Sequence, residues 1–186
     1  MSSVEPAAAD APAIAALTEG TADAVWRFFE RIPEGDRTFF KEPVLGIETV
    51  RGWLGNADAL RAVATRDGNV VGYVAVIRGV GWSSHVGELR LVVDPSVRRT
   101  GLGHRLARHG LASAIEMGLS KVVVEVVSDQ TSAVALFTGL GFTAEALLED
   151  HVRAVDGRLS DLIVLAHRIV DNWQLMTAVG LDQPLD

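Results

Sequence analysis

The sequence predicts one mixed α/β domain of 186 residues in which helices cover both faces of a central sheet. Three observations predict this fold class. A strand–helix–strand unit spans residues 88–127, and such units pair their strands in parallel with a right-handed crossover. Two hairpins flank the unit, with turns at Asp67-Gly68-Asn69 and Asp156-Gly157. Residues 21–31 carry apolar side chains at helical spacing, so helices precede the sheet.

Local patterns predict each element in turn. Pro and Gly interrupt the pattern after residue 31, and Gly118 is a typical helix stop. Residues 121–127 show almost no alternation, which predicts a strand buried on both faces. Four predicted helices cover residues 21–31, 47–54, 131–140 and 171–179. A further helix opens at the glycine-rich stretch 98–103 and runs to about residue 117. The predicted strands cover residues 13–17, 60–66, 70–77, 88–93, 121–127, 143–155 and 159–167.

The two faces of the central strand, residues 88–93, differ in character. Because side chains alternate along a strand, one face carries Leu89, Leu91 and Val93, and the other carries Glu88, Arg90 and Val92.

The organisation along the chain is simple. Residues 1–12 are rich in alanine and acidic residues and are interpreted as a loose tail. Residues 13–169 form the predicted domain, and residues 170–186 are interpreted as its C-terminal helical extension. The apolar side chains of that extension are compatible with a homodimer. The alternative is that they pack on their own domain.

Composition excludes several classes of function. The chain has no cysteine, so it has neither disulfides nor a thiolate nucleophile, and we expect no metal site. The formal net charge is −7, so the chain lacks the basic surface that is typical of nucleic-acid binding. The same charge argues against binding to anionic membranes. Neither a signal peptide nor a membrane-length apolar run is visible, so we expect the cytoplasm. A negative charge is compatible with an amine substrate, and equally with a role in solubility alone.

One motif carries chemistry. Arg98-x-x-Gly101-x-Gly103 follows a strand and opens a helix. Glycines let the backbone approach a ligand closely, and the first helical turn offers unpaired N–H groups that hold a pyrophosphate. The Gly-Lys-Ser/Thr of an ATP loop is absent, and so is a Gly-x-Gly-x-x-Gly dinucleotide fingerprint. Coenzyme A and a purely structural glycine-rich turn remain.

Two motifs together resemble the GNAT acyltransferase superfamily. The stretch from Val93 to Gly103 resembles its pyrophosphate loop, Arg/Gln-x-x-Gly-x-Gly/Ala. The stretch from Gln130 to Phe142 resembles its second motif, Asn-x-x-Ala-x-x-Leu-Tyr-x-x-x-Gly-Phe. The resemblance covers residues 13–167 and implies the acyl-CoA N-acyltransferase fold, with a mixed, mostly antiparallel sheet.

The resemblance implies a site for acetyl-CoA as co-substrate, between strands 88–93 and 121–127, which splay in this fold. The backbone of the first strand is expected to pair with the pantetheine arm like an added strand. Main-chain amides of the loop are expected to hold the pyrophosphate, and Gln130 stands where the family usually has asparagine. The expected binding residues are Leu91, Val92, Val93, Arg98, Arg99, Thr100, Gly101, Leu102, Gly103, His104, Gln130 and Phe137.

Acetyl transfer to an amine needs a base, and Glu125 is the first candidate. A carboxylate within Val122–Val127 is costly to bury, and desolvation favours its protonation, as general bases require. Its spacing from the second motif resembles that of ribosomal-protein N-terminal acetyltransferases. A structural carboxylate, held by an arginine or by backbone amides, is the alternative. Glu88 is the second candidate, with an ion pair to Arg90 as its alternative, and His85 is interpreted as a solvated loop residue.

Phe137 is a departure from the family pattern. Many relatives have a tyrosine here that protonates the leaving thiolate, and phenylalanine has no proton to donate. Thr138 and Ser132 are nearby hydroxyls. We expect an N-acetyltransferase that acts on a primary amine by direct transfer in a ternary complex. The alternative that Phe137 suggests is an acyl-CoA-binding sensor without turnover. The resemblance also implies an acceptor pocket lined by the first two helices and the last hairpin, which gives the candidates Trp26, Phe29, Trp53, Asp150, His151 and Arg153. The alternative is that the aromatic residues belong to the core and that the acidic hairpin residues are solvated.

Overall fold

The computed structural model describes residues 11–37 and 41–169. Its helices are α1 (Glu19–Arg31), α2 (Glu34–Arg37), α3 (Ile47–Gly52), α4 (Leu102–Glu116) and α5 (Thr131–Gly139). Its strands are β1 (Ala13–Ala16), β2 (Ala59–Arg66), β3 (Asn69–Arg78), β4 (Val86–Val93), β5 (Lys121–Val127), β6 (Thr143–Arg153) and β7 (Leu159–Arg168). Single 3₁₀ turns lie at Gly81–Ser83 and Pro95–Val97.

The seven strands form one sheet in the order β1-β2-β3-β4-β5-β7-β6. Among the described strands only the central pair, β4 and β5, is parallel, and α4 is its crossover. Every other neighbouring pair is antiparallel. The prediction of a mixed, mostly antiparallel sheet is therefore confirmed.

Helices cover both faces of the sheet and create two cores. On one face α4 and α5 pack over the central strands, with Leu106 and Leu89 almost fully buried. On the other face α1 and α3 pack over β2 and β3, with Phe28 and Tyr73 at the centre. The alternation predicted for β4 is confirmed, because Leu91 contacts the first core and Val92 the second.

Several boundaries differ from the prediction for identifiable reasons. Helix α1 begins at Glu19 rather than at residue 21, because the N–H of Thr18 donates to Thr21 Oγ1 at 3.0 Å and caps the first turn. Strand β4 begins at Val86 rather than at residue 88, because Val86 already pairs with Lys121. The short helix α2 lies where the sequence predicted only a break.

Strand β5 alternates, contrary to the prediction of equal burial on both faces. Val122, Val124 and Val126 are buried beneath α4 and α5, whereas Val123 and Glu125 are only partly buried. Five of the seven residues are valines, and valine tolerates both environments, so the run gives little sign of this difference. The less buried face of β5 is the one that carries Glu125.

Some predictions lie outside the described residues. These are most of the tail at residues 1–12, the C-terminal helix at 171–179 and the apolar stripe that left a dimer open. Across residues 11–37 and 41–169, no helix is both long enough and apolar enough to cross a membrane.

Candidate active site

The site begins where β4 and β5 part. Their parallel ladder has three rungs in the described chain, and the last joins Glu88 to Val123. Beyond that rung β4 stays paired with β3 as far as Val93, and β5 stays paired with β7 as far as Val127. The two strands thus leave a gap at their carboxyl ends, where α/β sheets bind ligands. The splay that the resemblance implied is present.

The N-terminus of α4 lies just beyond the end of β4. Gly101 is the N-cap residue of α4, and its φ of +85° is a left-handed conformation that favours glycine. A Cβ built on Gly101 would meet no atom within 4 Å, so space is open beside this backbone. Because the Arg105 amide is the one that reaches the Gly101 carbonyl, at 3.1 Å, the amides of the three residues before it lack intrahelical acceptors.

The loop between β4 and α4 is held by its own hydrogen bonds. Asp94 Oδ1 accepts from the Ser96 amide at 2.9 Å, and Thr100 Oγ1 donates to the Val97 carbonyl at 2.8 Å. Gly103 lies close to α5, because a Cβ there would approach Leu136 Cδ1 to 3.1 Å. The backbone that would face a pyrophosphate is therefore preformed.

The two loop arginines differ. Arg98 Nη2 pairs with Asp36 Oδ2 at 2.7 Å, so its side chain extends towards α2. Arg99 is exposed and has φ +62°, a conformation uncommon for any residue other than glycine. Arg98 thus secures the loop, while Arg99 holds its charge at the surface.

Glu125 and Glu88 meet at one ammonium group. Lys41 Nζ lies 2.9 Å from Glu125 Oε1 and 3.3 Å from Glu88 Oε2. Glu88 Oε1 also accepts from Arg90 Nε at 2.8 Å, as the ion-pair alternative predicted. The partner of Glu125 is this lysine, where the structural alternative named an arginine or backbone amides. The two candidate carboxylates therefore belong to a single cluster.

The charges of this cluster support one another. Burial by itself would raise the pKa of Glu88, but the hydrogen bond from Arg90 and the charge of Lys41 outweigh burial and lower it. Burial would lower the pKa of Lys41, and its contacts with Glu125 and Glu88 outweigh burial and raise it. Glu88 rests as a carboxylate and Lys41 as an ammonium.

A second layer of charge continues from Arg90 across the sheet. Arg90 Nη1 lies 2.7 Å from Glu42 Oε1, and Arg61 Nη1 lies 3.2 Å from Glu42 Oε2. Arg61 also donates to the hydroxyl of Tyr73 and stacks on Trp53, with its guanidinium carbon 4.5 Å from the ring centroid. Burial raises the pKa of Tyr73, so this phenol stays protonated.

Sequence reasoning missed Lys41, Glu42 and Arg61. One signal was present, because Lys41 is one of only two lysines among 17 basic residues. Another was Arg61, a charged residue in a strand whose neighbours are apolar. Neither signal names the partner, since the partners are distant in sequence.

The remaining predicted binding residues fall in two places. Leu91 and Val93 pack against the core beneath α4. Gln130 flanks the start of α5, where its carbonyl accepts from the Ala133 amide at 2.9 Å. Phe137 is 4% exposed and packs edge-on against Phe142, with ring centroids 5.3 Å apart. The aromatic ring is therefore part of the core next to the gap.

The pocket nominations separate into core and surface. Phe29 is buried, and Trp26 and Trp53 are partly buried around it in the α1 core. The hairpin residues Asp150, His151 and Arg153 are exposed on β6. His85 is exposed in the loop before β4, and its carbonyl accepts from the Ser120 amide. Among the described residues, no group of three or more His, Cys, Asp or Glu has an arrangement that holds a metal ion.

A family model described as "Acetyltransferase (GNAT) family" matches residues 22–142. This protein belongs to the GNAT acetyltransferase family. The match includes the α4 loop, both candidate carboxylates and the second motif, so the resemblance inferred from the two motifs is confirmed.

Curated relatives match in part. A mycothiol acetyltransferase of Thermobispora bispora is 39% identical over 85 residues, which are 44% of this chain and 29% of the relative. A [ribosomal protein bS18]-alanine N-acetyltransferase of Escherichia coli is 32% identical over 76 residues, which are 41% of this chain and 51% of the relative. The matched segment of the GNAT chain thus spans about half of these relatives, or less.

Solved structures share the fold. A ribosomal-protein-alanine N-acetyltransferase from Brucella melitensis superposes with a TM-score of 0.73 at 23% identity, covering 84% of this chain and 99% of that one. The putative acetyltransferase yncA from Salmonella typhimurium, described with its cofactor acetyl-CoA, gives 0.75 at 18% identity, covering 88% and 97%. At these identities the likeness shows the fold alone.

Proposed function

We propose that this GNAT protein is an N-acetyltransferase that moves an acetyl group from acetyl-CoA to a primary amine, by direct transfer while both substrates are bound. The observation that carries the proposal is the end of the parallel ladder at Glu88 and Val123, which opens a gap leading to the N-terminus of α4. That gap joins an anion-binding helix end to a pair of carboxylates.

The residues at the gap fit the co-substrate. Leu91–Val93 form a strand edge that suits the amide-rich pantetheine arm. The amides from Arg98 to His104 suit the pyrophosphate, because they start a helix of 15 residues and the Gly101 backbone has open space beside it. Acetyl-CoA supplies the activated acyl group, and the protein supplies position and charge.

Glu125 is the better candidate for the general base. Glu88 is engaged by Arg90 and Lys41, and its lowered pKa makes it a weaker proton acceptor. Glu125 lies two residues beyond the last rung of the ladder and contacts Lys41 alone among the ion pairs of the described chain. In this assignment Glu125 takes the proton of the acceptor amine, and Glu88 helps to attract its positive charge.

A second candidate function follows from Phe137, namely a sensor that binds acyl-CoA without turnover. The ring offers no proton to a leaving thiolate, and the neighbouring Thr138 hydroxyl already donates to the Val134 carbonyl at 2.8 Å. In the enzyme, water would have to protonate the leaving thiolate. The proposal of an enzyme is preferred because a base and an ammonium site accompany the binding site.

The names of the relatives and the charge of the site both bear on the acceptor. One relative is named for an alanine of ribosomal protein bS18 and another for mycothiol. We propose a primary amine that arrives as an ammonium ion, on a small molecule, a lysine or a protein N-terminus, because paired carboxylates favour that charge.

Thermal unfolding with and without acetyl-CoA tests the binding site. Acetyl-CoA at ~100 times its Kd adds about 2.7 kcal/mol to the unfolding free energy of the wild type. Gly101→Asp places a carboxylate beside the proposed pyrophosphate position and is expected to remove this gain. Gly118→Asp is the matched control, since Gly118 also has a positive φ, at +68°, and open space, but follows the other end of α4.

Turnover then separates the enzyme from the sensor. A panel of primary amines is assayed for release of free thiol from acetyl-CoA, with Gly101→Asp as the background. Release with at least one amine supports the enzyme. Stabilisation by acetyl-CoA without release from any amine supports the sensor, and no stabilisation of the wild type rejects both.

A further inference from the structure

Lys41 holds a primary ammonium where the proposed acceptor would bind. Its Nζ is 2.9 Å from Glu125 Oε1 and 3.3 Å from Glu88 Oε2, so it touches both carboxylates assigned to the reaction. The chemical group is the same as that of the proposed acceptor. No other lysine reaches these carboxylates, since the full sequence has only one more, Lys121, and that pairs with Glu145.

The main chain beside Lys41 is anchored. The next residue, Glu42, lies 2.7 Å from Arg90 and 3.2 Å from Arg61, whose side chains are only 13% and 5% exposed. The buried guanidinium of Arg61 on β2 and the largely buried one of Arg90 on β4 therefore hold this segment against the gap. The approach of Lys41 to Glu125 follows from that anchoring and is more than the chance contact of a long surface side chain.

We propose that Lys41 is a site of self-acetylation, whose Nζ accepts the acetyl group when no other amine occupies the site. This inference rests on the proposed function. The Lys41 ammonium gives one proton to Glu125, and the neutral Nζ forms a bond to the acetyl carbonyl carbon. The bond between that carbon and the thiol sulfur breaks, Nζ loses its second proton to water, and the leaving sulfur takes up one proton from water. The products are acetyl-Lys41, free coenzyme A and one proton released from Glu125.

Modification would change the cluster itself. Acetyl-Lys41 carries no charge, so the ion pairs to Glu125 and Glu88 are lost. Glu125 then faces the gap without its cation, while Glu88 keeps its ion pair with Arg90. Self-acetylation would therefore alter the affinity of the site for any cationic acceptor.

The experiment uses the full chain with acetyl-CoA and no added amine. Peptide mass spectrometry follows acetylation at Lys41 and Lys121 over time, and Lys121 is the internal control because it also pairs with one glutamate. We expect Lys41 to be modified ~10²-fold faster than Lys121. Glu125→Gln is expected to slow Lys41 by ~10², within the range of general-base catalysis. Lys41→Arg keeps the positive charge and removes the acceptor amine, so loss of acetylation from its peptide would assign the modification to Lys41.

The outcomes are distinct. An apparent first-order rate constant for Lys41 that is independent of protein concentration supports transfer within one molecule. An apparent rate constant that rises with protein concentration overturns the inference. Equal, slow modification of both lysines also overturns it, since that is uncatalysed chemistry. If acetyl-CoA stabilises the protein and an added amine is acetylated but Lys41 stays unmodified, the inference fails and the proposed function stands. If acetyl-CoA does not stabilise the protein, both fail.

Discussion

Glu88 and Val123 face each other in the last rung of the parallel ladder between β4 and β5. Past this pair, β4 is paired only with β3, and β5 is paired only with β7. The sheet therefore divides into two halves between β4 and β5, and its antiparallel ladders stay intact. Glu125, two residues beyond Val123, therefore borders the gap together with Glu88. The position of this one rung brings the carboxylates, the ammonium of Lys41 and the end of α4 into one region.

Glu125→Gln tests the base. Glutamine keeps the shape of the side chain but accepts a proton far less readily, so kcat is expected to fall by ~10²–10⁴ while the affinity for acetyl-CoA stays unchanged. Steady-state kinetics with an amine substrate and calorimetric titration of acetyl-CoA measure the two effects. Glu145→Gln, at the other lysine–glutamate pair, is the control. Full activity of Glu125→Gln with loss in Glu88→Gln would move the base to Glu88.

Glu42→Gln tests the buried charge network. The substitution leaves Arg61 and Arg90 without their shared carboxylate, and we expect the free energy of unfolding to fall by about 2 kcal/mol. Urea unfolding at pH 7 measures the change. Glu48→Gln removes an exposed partner of Arg51 and is expected to have little effect. A loss no larger than that of Glu48→Gln would mean that water already compensates the two guanidinium groups.

Gly110→Ala tests the close contact between α4 and the sheet. A Cβ at Gly110 would lie 2.7 Å from Leu89 Cδ1 and 3.1 Å from Val74 Cγ2, inside the core. Overpacking is expected to outweigh the better helix propensity of alanine and to lower the unfolding free energy by about 1–2 kcal/mol.

Gly139→Ala is the matched control for this contact. Gly139 is also helical, but a Cβ there meets nothing within 4 Å. Its unfolding free energy is expected to rise by up to about 1 kcal/mol. Equal gains in both variants would show that the side chains of the core yield without cost.

Asp94→Asn tests an acid-dependent contribution to stability. Burial would raise the pKa of Asp94, but hydrogen bonds from Ser96 and the charge of Arg31 outweigh it and hold the pKa below the ordinary 3.8. A depressed pKa contributes stability above the unfolded value, and that stability is lost as the pH falls through the folded value. The wild type is therefore expected to lose unfolding free energy more steeply below about pH 4 than Asp94→Asn.

Denaturant unfolding at about six pH values between pH 2 and 7 measures how steeply the unfolding free energy falls with pH. Asp23→Asn, which removes an exposed carboxylate 3.8 Å from Arg51, serves as the control and is expected to follow the wild type. Parallel curves for the wild type and Asp94→Asn would assign the acid sensitivity to other carboxylates.

Much of the fold could be predicted because its elements carry local signals. The bounds of β5 were predicted as residues 121–127 and found as Lys121–Val127, since a glycine and a serine precede a run in which five of seven residues are valine. The α4 loop was predicted because the backbone of Gly101 has a positive φ that few other residues adopt, and because Gly103 leaves room for Leu136 of α5. The start of β4 was missed, because pairing with β5 extends a strand beyond its own pattern.

The sequence by itself determined the family, the order of the elements and the two candidate carboxylates. Hydrophobic period and glycine positions act between near neighbours, and they are readable for that reason. Only the tertiary structure decided which partners these carboxylates have. Lys41 and Glu125 are 84 residues apart in sequence and meet because the ladder, the Glu42 anchor and the strand order bring them together. A contact between distant residues depends on the whole sheet, and no local pattern records it.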